Sequence, residues 1–572
     1  MKFEKLVGVL ATLLVVSFLT ACSGVSVDLL QERLFNECGN DAYTSPYQVE
    51  ISAAQNQSKD LSQNWYKDSS FYYIFISQFN DTDKDGYGDI DGITEKLDYI
   101  QKEIGCDGIL ISQFFECSSD IESTKFSYDV TDFYTVNPDL GTDDSLLNLI
   151  TEAHQRGMKV IFDFAPNSTS KEHPWFVAST DENSEKRDWY LWSEEKLYWD
   201  NGLSVDTWYP YSKQYYYAAL DKDLPDLNYY NLEVRTEIKN IIKFWLNKGF
   251  DGLRIDGIRY LIEEENNYCD TEKTHEFLSE IRELINEYDS EKFIVTETKI
   301  RDNRAVLEEY FGSEAKPEFN MLFDCDSVFS CLKSVQSGKD FTGNTLTVKA
   351  PYISAAFANY IGASSDYFNR LGYVFSDNKA KLNQSIALML LRTTVPFIYF
   401  GNETGIADGE FNWKIVDEQN ENAESPLYLT KSLISLRNEN TEFKKGNVVK
   451  FTSTTPEQKN VISYAIYSDK KLFLMVFNFS EDVIEKISFY QNGLLNTNKQ
   501  LQVLIGPDTS ACVDFNDEFV SFNKLQPNAF RVYELSDKTV NQLFVSEKIP
   551  VEKTEAEDSS DEKSENEETK AE

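Results

Sequence analysis

The chain has 572 residues, too many for one hydrophobic core, so two or three domains are expected. Hydrophobic residues are 41% and aromatic residues 14% of the chain, the composition of a globular, aromatic-rich protein. A formal net charge of −41 argues against nucleic acid as a partner, because phosphates would be repelled, and leaves neutral ligands open.

In chain order, Lys2 and Lys5 precede an apolar run, Leu6–Leu19, that is too short to span a bilayer comfortably. Leu19-Thr20-Ala21-Cys22 resembles the lipobox of bacterial lipoproteins, whose cysteine is lipidated and becomes the first residue of the mature chain. Residues 1–21 are therefore expected to be a signal peptide and Cys22 the lipidation site. The mature protein is expected on the cell membrane or outer membrane, facing outside the cytoplasm. Residues 22–62 are polar and weakly patterned and read as a linker. The other seven cysteines, Cys38, Cys106, Cys117, Cys269, Cys325, Cys331 and Cys512, are odd in number and lack paired spacing. They form neither a disulfide framework nor a zinc site. Cys106, Cys117 and Cys325 flank apolar runs and are expected as buried thiols.

Strand-like and helix-like segments then alternate over residues 63–445. The candidate strands are Phe71–Phe79, Gly108–Phe114, Lys159–Ala165, Phe250–Asp256, Lys292–Glu297, Glu318–Phe323, Tyr352–Tyr360 and Pro396–Phe400. Amphipathic stretches such as Asp144–Arg156, Asn231–Asn247 and Lys381–Arg392 lie between them. Eight strands alternating with helices predict a parallel (β/α)8 TIM barrel. One connection, residues 167–226, is too long for a loop and carries five of the eight tryptophans, so an inserted domain is expected after the third strand. The rings there suit either a core or a sugar face. Short alternating runs over 446–537 predict a C-terminal antiparallel β-sandwich. Residues 538–572 form an acidic tail expected to be disordered.

Chemistry concentrates at two strand ends. Gly249-Phe250-Asp251-Gly252-Leu253-Arg254-Ile255-Asp256 is an apolar run ending in a carboxylate. Strand alternation puts Arg254 and Asp256 on one face, where the guanidinium keeps the carboxylate ionised. Phe293-Ile294-Val295-Thr296-Glu297 repeats the device. Two carboxylates at the exits of buried strands are what glycoside hydrolysis requires.

These segments resemble the nucleophile and acid/base motifs of the alpha-amylase superfamily, glycoside hydrolase family 13, in its oligoglucosidase/neopullulanase-like branch. The likeness runs from about Trp65 to about Leu535. His173-Pro174-Trp175-Phe176, Arg187-Asp188-Trp189-Tyr190 and Pro225-Asp226-Leu227-Asn228 match the family's domain B. The resemblance implies a retaining hydrolase of α-glucans or maltooligosaccharides with Asp256 as nucleophile and Glu297 as acid/base. It implies a substrate site including Tyr128, Asp129, Asn167, Arg254 and Arg370. Asp81-Thr82-Asp83-Lys84-Asp85-Gly86-Tyr87-Gly88-Asp89 has calcium-loop spacing and resembles the family's loop after the first strand. A structural Ca²⁺ is thus expected on Asp81, Asp83, Asp85, Asp89 and the Tyr87 carbonyl.

The likeness breaks in two places. Ser168 stands where the family has a histidine after Asp163 and Asn167, and the Asn-His-Asp triplet of the seventh strand is missing. Phe357-Ala358-Asn359-Tyr360-Ile361 would place Ile361 at the third carboxylate. Ser364-Ser365-Asp366, with Arg370 beyond, fits the spacing back from Lys379-Ala380-Lys381-Leu382 better and makes Asp366 a third catalytic candidate. Losing one preorganised donor costs on the order of 10²–10³ in rate, so a partly degenerate site is expected. The alternatives are a catalytically impaired glucan-binding lipoprotein and a purely structural one.

Overall fold

A computed structural model describes residues 34–52, 64–121, 123, 126–203, 206–298, 300, 303–355, 370–407, 411–491, 493–494, 501–507 and 511–536. Cys22, Ile361, Asp366 and the acidic tail lie outside these residues.

Eight parallel strands close a barrel in which each strand pairs with its sequence neighbours and the first pairs with the eighth. In order they are Phe71–Ile74, Gly108–Ile111, Lys159–Phe164, Gly252–Ile255, Phe293–Thr296, Met321–Phe323, Lys349–Ala355 and Thr393–Tyr399. All eight expected strands exist, with shifted ends. The first stops at Ile74 because Ile76–Gln78 turns into a 3-10 helix, and the sixth begins only at Met321. Apolar runs continue past strand ends because loop residues next to a barrel also pack against its core. The expected helices occur at Asp143–Gln155, Leu232–Asn247 and Lys379–Leu390. The first starts where Thr142 and Ser145 form a reciprocal capping box, which satisfies two amides that the first helical turn would leave bare.

The insertion folds as a small unit with helix Pro174–Ser179 and a three-stranded sheet of Trp192–Ser193, Trp208–Tyr211 and Gln214–Tyr217. Its own core holds Leu191, Trp199, Trp208, Tyr217 and Ala219. Trp199 and Trp208 are buried in that core and Trp189 in the barrel's, so these three rings serve packing rather than an exposed sugar face. Tyr260, four residues past Asp256, joins that core and keys the insertion to the barrel.

After residue 446 a four-stranded sheet (Asn447–Lys450, Val461–Tyr467, Lys471–Asn478, Phe530–Ser536) faces a five-stranded one. The first sheet is two-sided. Tyr464, Phe473, Met475, Phe477 and Phe530 belong to the barrel's core, whereas Leu472, Leu474, Val476 and Tyr533 fill the sandwich.

The expected linker needs correction. Residues 34–52 pack along the barrel and the insertion. Phe35 stacks on Trp199 at 5.4 Å, and Tyr47 stacks on Tyr134. Glu237 accepts from Tyr43 (3.1 Å), Ser45 (3.1 Å) and Tyr134 (2.7 Å). Isolated aromatic anchors in a polar stretch carry no periodicity, so pattern reading passes over them. Of the three thiols expected to be buried, Cys106 and Cys325 are, while Cys117 is only half-buried. No helix among the described residues is long and apolar enough to cross a membrane.

Candidate active site

Register builds the site. In the sheet Arg254 lies beside Asp163 of the third strand on one side and Val295 of the fifth on the other. Its side chain is 1% exposed, so its charge must be met by protein groups. Nη1 donates to both oxygens of Asp163 at 2.6 Å. Nη2 donates to Glu297 Oε2 at 2.9 Å and lies 3.3 Å from Asp256 Oδ2. One nitrogen thus holds both strand-end carboxylates, and their nearest oxygens cannot be farther apart than those two lengths end to end, about 6 Å.

Asp256 is held as well as paired. Its amide donates to the Phe164 carbonyl at 2.9 Å, and its Oδ1 accepts from the Gly257 amide at 2.9 Å. Gly257 has φ +71°, and a Cβ there would stand 3.3 Å from the Asn167 Cβ, so the turn beneath the carboxylate calls for glycine. Burial pushes the Asp163 carboxyl up to about 6, opposed by Arg254 and reinforced by Asp256. Tyr73 donates to Asp163 Oδ2 at 3.1 Å.

Tyr128 stands in the same field. Burial holds its hydroxyl well above the ordinary phenol value, and the Asp163, Asp256 and Glu297 carboxylates add to that against Arg254. Ser127 before it adopts φ +71°, a conformation rare for a non-glycine residue, which turns the Tyr128 backbone at the end of its loop. Asp129 points elsewhere: its carboxylate accepts from Ser118 at 2.8 Å and from Ser119, bracing the loop. Arg370 is 2% exposed, donates to the Phe400 carbonyl at 2.9 Å and lies 4.3 Å over the Phe400 ring. It reaches the cluster through Tyr399, whose ring is 5.4 Å from Tyr73.

Asn167 takes part in a second buried group. It donates to Asp226 Oδ2 at 2.9 Å, and Asp226 Oδ1 accepts from the Ala219 amide at 3.1 Å. Burial, and then Glu263, raise Asp226 well above the carboxylate range. Burial pushes Glu263 itself up to about 8. Ser168, in the place of the expected histidine, is buried and bridges to Asp226. The three histidines are engaged elsewhere: His154 with Asp251 (2.8 Å), His173 accepting from the Trp175 amide (3.0 Å), His275 with Glu318 (3.0 Å).

Asp81, Asp83 and Asp89 bring carboxylate oxygens within 4.8 Å of one another. Hard oxygen donors on one turn suit a Ca²⁺-like cation. Asp85 falls outside that trio, its Oδ1 accepting from the Tyr87 amide at 2.8 Å. Asp89 also caps helix Ile90–Glu95 through Gly92.

The residue reading missed Tyr73 and Glu263. Two hydroxyls on the apolar first strand, Phe71-Tyr72-Tyr73-Ile74, were a weak signal for the first. Nothing marked the second, an acid in a loop.

The family profile described as "Alpha amylase, catalytic domain" matches residues 73–427. Alpha-amylase 3 of Dictyoglomus thermophilum is 27% identical over 79% of this chain and 94% of its own length. A probable oligo-1,6-glucosidase 3 of Bacillus subtilis is 29% identical over 72% of this chain and 78% of its own. Among solved structures, the alpha-amylase from H. orenii superposes with TM-score 0.67 at 27% identity, over 82% of this chain and 99% of that one.

Proposed function

Because this chain belongs to the alpha-amylase family, we propose that it is a retaining hydrolase of α-glucans or maltooligosaccharides. The observation that carries this is the shared Arg254 nitrogen. Both carboxylates reach the same nitrogen, so one oxygen of each lies no more than about 6 Å from the other, close enough to flank one glycosidic bond as the family's retaining mechanism requires.

In this reading Asp256 attacks the anomeric carbon as the glycosidic bond breaks, and the Glu297 carboxyl proton passes to the leaving oxygen. Water then gives its proton to Glu297 and its oxygen to the anomeric carbon, releasing Asp256. Tyr128 provides a rigid ring for the sugar. Arg370 frames the cleft, and Asp129 and Asn167 act by bracing its walls. Asp366 would be the third carboxylate. Ca²⁺ on Asp81, Asp83 and Asp89 would clamp the loop after the first strand, and chelation should lower the melting temperature by a few degrees without changing the mechanism. Lipid on Cys22 would place the cleft at the cell surface.

The test is incubation with maltooligosaccharides beside Asp256→Asn. The wild type should release reducing ends, first as the α-anomer by NMR, and the variant should not. Equal release by both, or β-anomer first, would sink the proposal. A second reading, glucan capture with slow or no cleavage, is favoured by the engagement of all three histidines away from the Arg254 cluster. It predicts equal oligosaccharide binding by both proteins with no release.

A further inference from the structure

We propose that Asp270 is a positioning residue for the nucleophile, fixing the turn behind Asp256 from outside the Arg254 cluster. This rests on the hydrolase reading above and deepens it. The Gly257 amide holds Asp256 Oδ1, and that amide is only as fixed as the turn it opens. The turn is the 3-10 helix Ile258–Tyr260, closed by the Tyr260 amide donating to the Gly257 carbonyl at 3.2 Å. One isolated turn of helix has little stability of its own, so its geometry must be set by what grips it.

Asp270 grips that turn with both its backbone and its side chain. Its amide donates to the Arg259 carbonyl at 2.8 Å. Its Oδ1 accepts from Arg259 Nε at 2.8 Å and its Oδ2 from Arg259 Nη2, a two-pronged pairing that fixes direction as well as distance. Oδ1 also accepts from the Tyr310 hydroxyl at 2.6 Å. The side chains of Arg259 and Asp270 are 25% and 14% exposed, so solvent screens the pair only in part. Asp270 sits at φ +53°, in the left-handed region that most residues avoid and aspartate tolerates. That bend lets one residue present both its amide and its carboxylate to Arg259.

Tyr310 extends the grip to the neighbouring strand. Arg259 follows the strand that leads into Asp256, and Tyr310 ends helix Arg304–Glu309 in the segment after Glu297. Asp270 therefore ties the exits of the fourth and fifth strands to each other, as Arg254 ties their carboxylates within the site. The anchor is packed as well as bonded. Tyr310 is buried, with its ring 4.7 Å from that of His275, and His275 is itself paired with Glu318 at 3.0 Å. A displacement of about 1 Å at a reacting group can cost about 10²-fold in rate, which sets the scale expected for loosening this tie.

The experiment compares the full chain as wild type, Asp270→Asn, Asp270→Glu and Tyr310→Phe. Asparagine tolerates the same backbone conformation, so Asp270→Asn removes the ionic grip and leaves the bend. Two substrates are used. Maltotriose needs a proton from Glu297 to release its leaving sugar. With α-glucosyl fluoride, Asp256 bonds to the anomeric carbon as the C–F bond breaks, and fluoride leaves as the anion without that proton. Competent sites are counted by mass spectrometry with a fluorinated glycosyl fluoride that leaves its sugar on Asp256. Per competent site, kcat/KM should fall about 10–10²-fold in Asp270→Asn on both substrates and about threefold in Tyr310→Phe, and Asp270→Glu should recover part of the loss. Maltotriose binding, measured with Asp256→Asn added to each chain, should stay within about twofold. Wild-type kcat/KM per site in both Asp270→Asn and Tyr310→Phe, with only the melting temperature or the number of sites lowered, overturns this inference alone. A fall on maltotriose but not on the fluoride assigns the residue to Glu297 and also overturns it. No turnover of either substrate by the wild type overturns it together with the hydrolase reading.

Discussion

Two acidic clusters meet near the end of the third strand, one around Arg254 and one without a cation of its own. In the first, Asp163, Asp256 and Glu297 surround the buried guanidinium of Arg254. In the second, Asp226 and Glu263 meet at the root of the insertion with Asn167 and the Tyr217 phenol, and both are pushed up chiefly by burial. In the first cluster Arg254 opposes the rise that burial imposes on Asp163, whereas among the described residues no cation opposes it at Asp226 and Glu263.

The sharpest way to break this contrast is to remove the cation. Arg254→Met should lower turnover at least about 10³-fold and cost about 3–5 kcal/mol, since the buried Asp163 and Glu297 and the half-buried Asp256 lose their partner. Reducing-end assays and urea melts would read both, and retained activity would refute the central role of the pair. Next, Asp366→Asn should lower kcat about 10²–10³-fold while Ile361→Ala leaves it nearly unchanged. The reverse pattern would move the third carboxylate's position to Ile361 and leave it without an acid.

Tyr73→Phe removes a donor that holds the Asp163 carboxyl down against burial. Activity should fall about tenfold, and the acid limb of the pH–rate profile should move to higher pH. An unchanged limb would show that Asp163 does not govern it.

The smallest effect concerns the second cluster. Glu263 is raised from its usual 4.5 to about 8 in the folded protein. The folded state then holds its proton more tightly than the unfolded chain does. The stability this contributes is complete below about 4.5 and is lost as pH rises toward about 8. Glu263→Gln should flatten the fall in melting temperature over that window by a few degrees, and an unaltered slope would mean that this acid is not the group titrating.

Alternation and apolar runs were enough to find all eight strands, the insertion and the sandwich, because each needs only local periodicity and a breaker between segments. The strand ends were less legible, since Phe250, Phe319 and Phe400 are apolar for packing outside any strand. The strap of residues 34–52 was missed because three lone rings anchor it without a repeating pattern.

At the site, the local sequence determined that Arg254 and Asp256 share a face and that Glu297 ends a buried strand. Both follow from a two-residue period, which neighbours cannot change. Only the tertiary structure decided that one Arg254 nitrogen binds both carboxylates, that Tyr73 supports Asp163, and that Asn167 turns away to Asp226. Those contacts join residues far apart in the chain, and their pairing is set by the stagger of strands around a closed barrel, which no local pattern encodes.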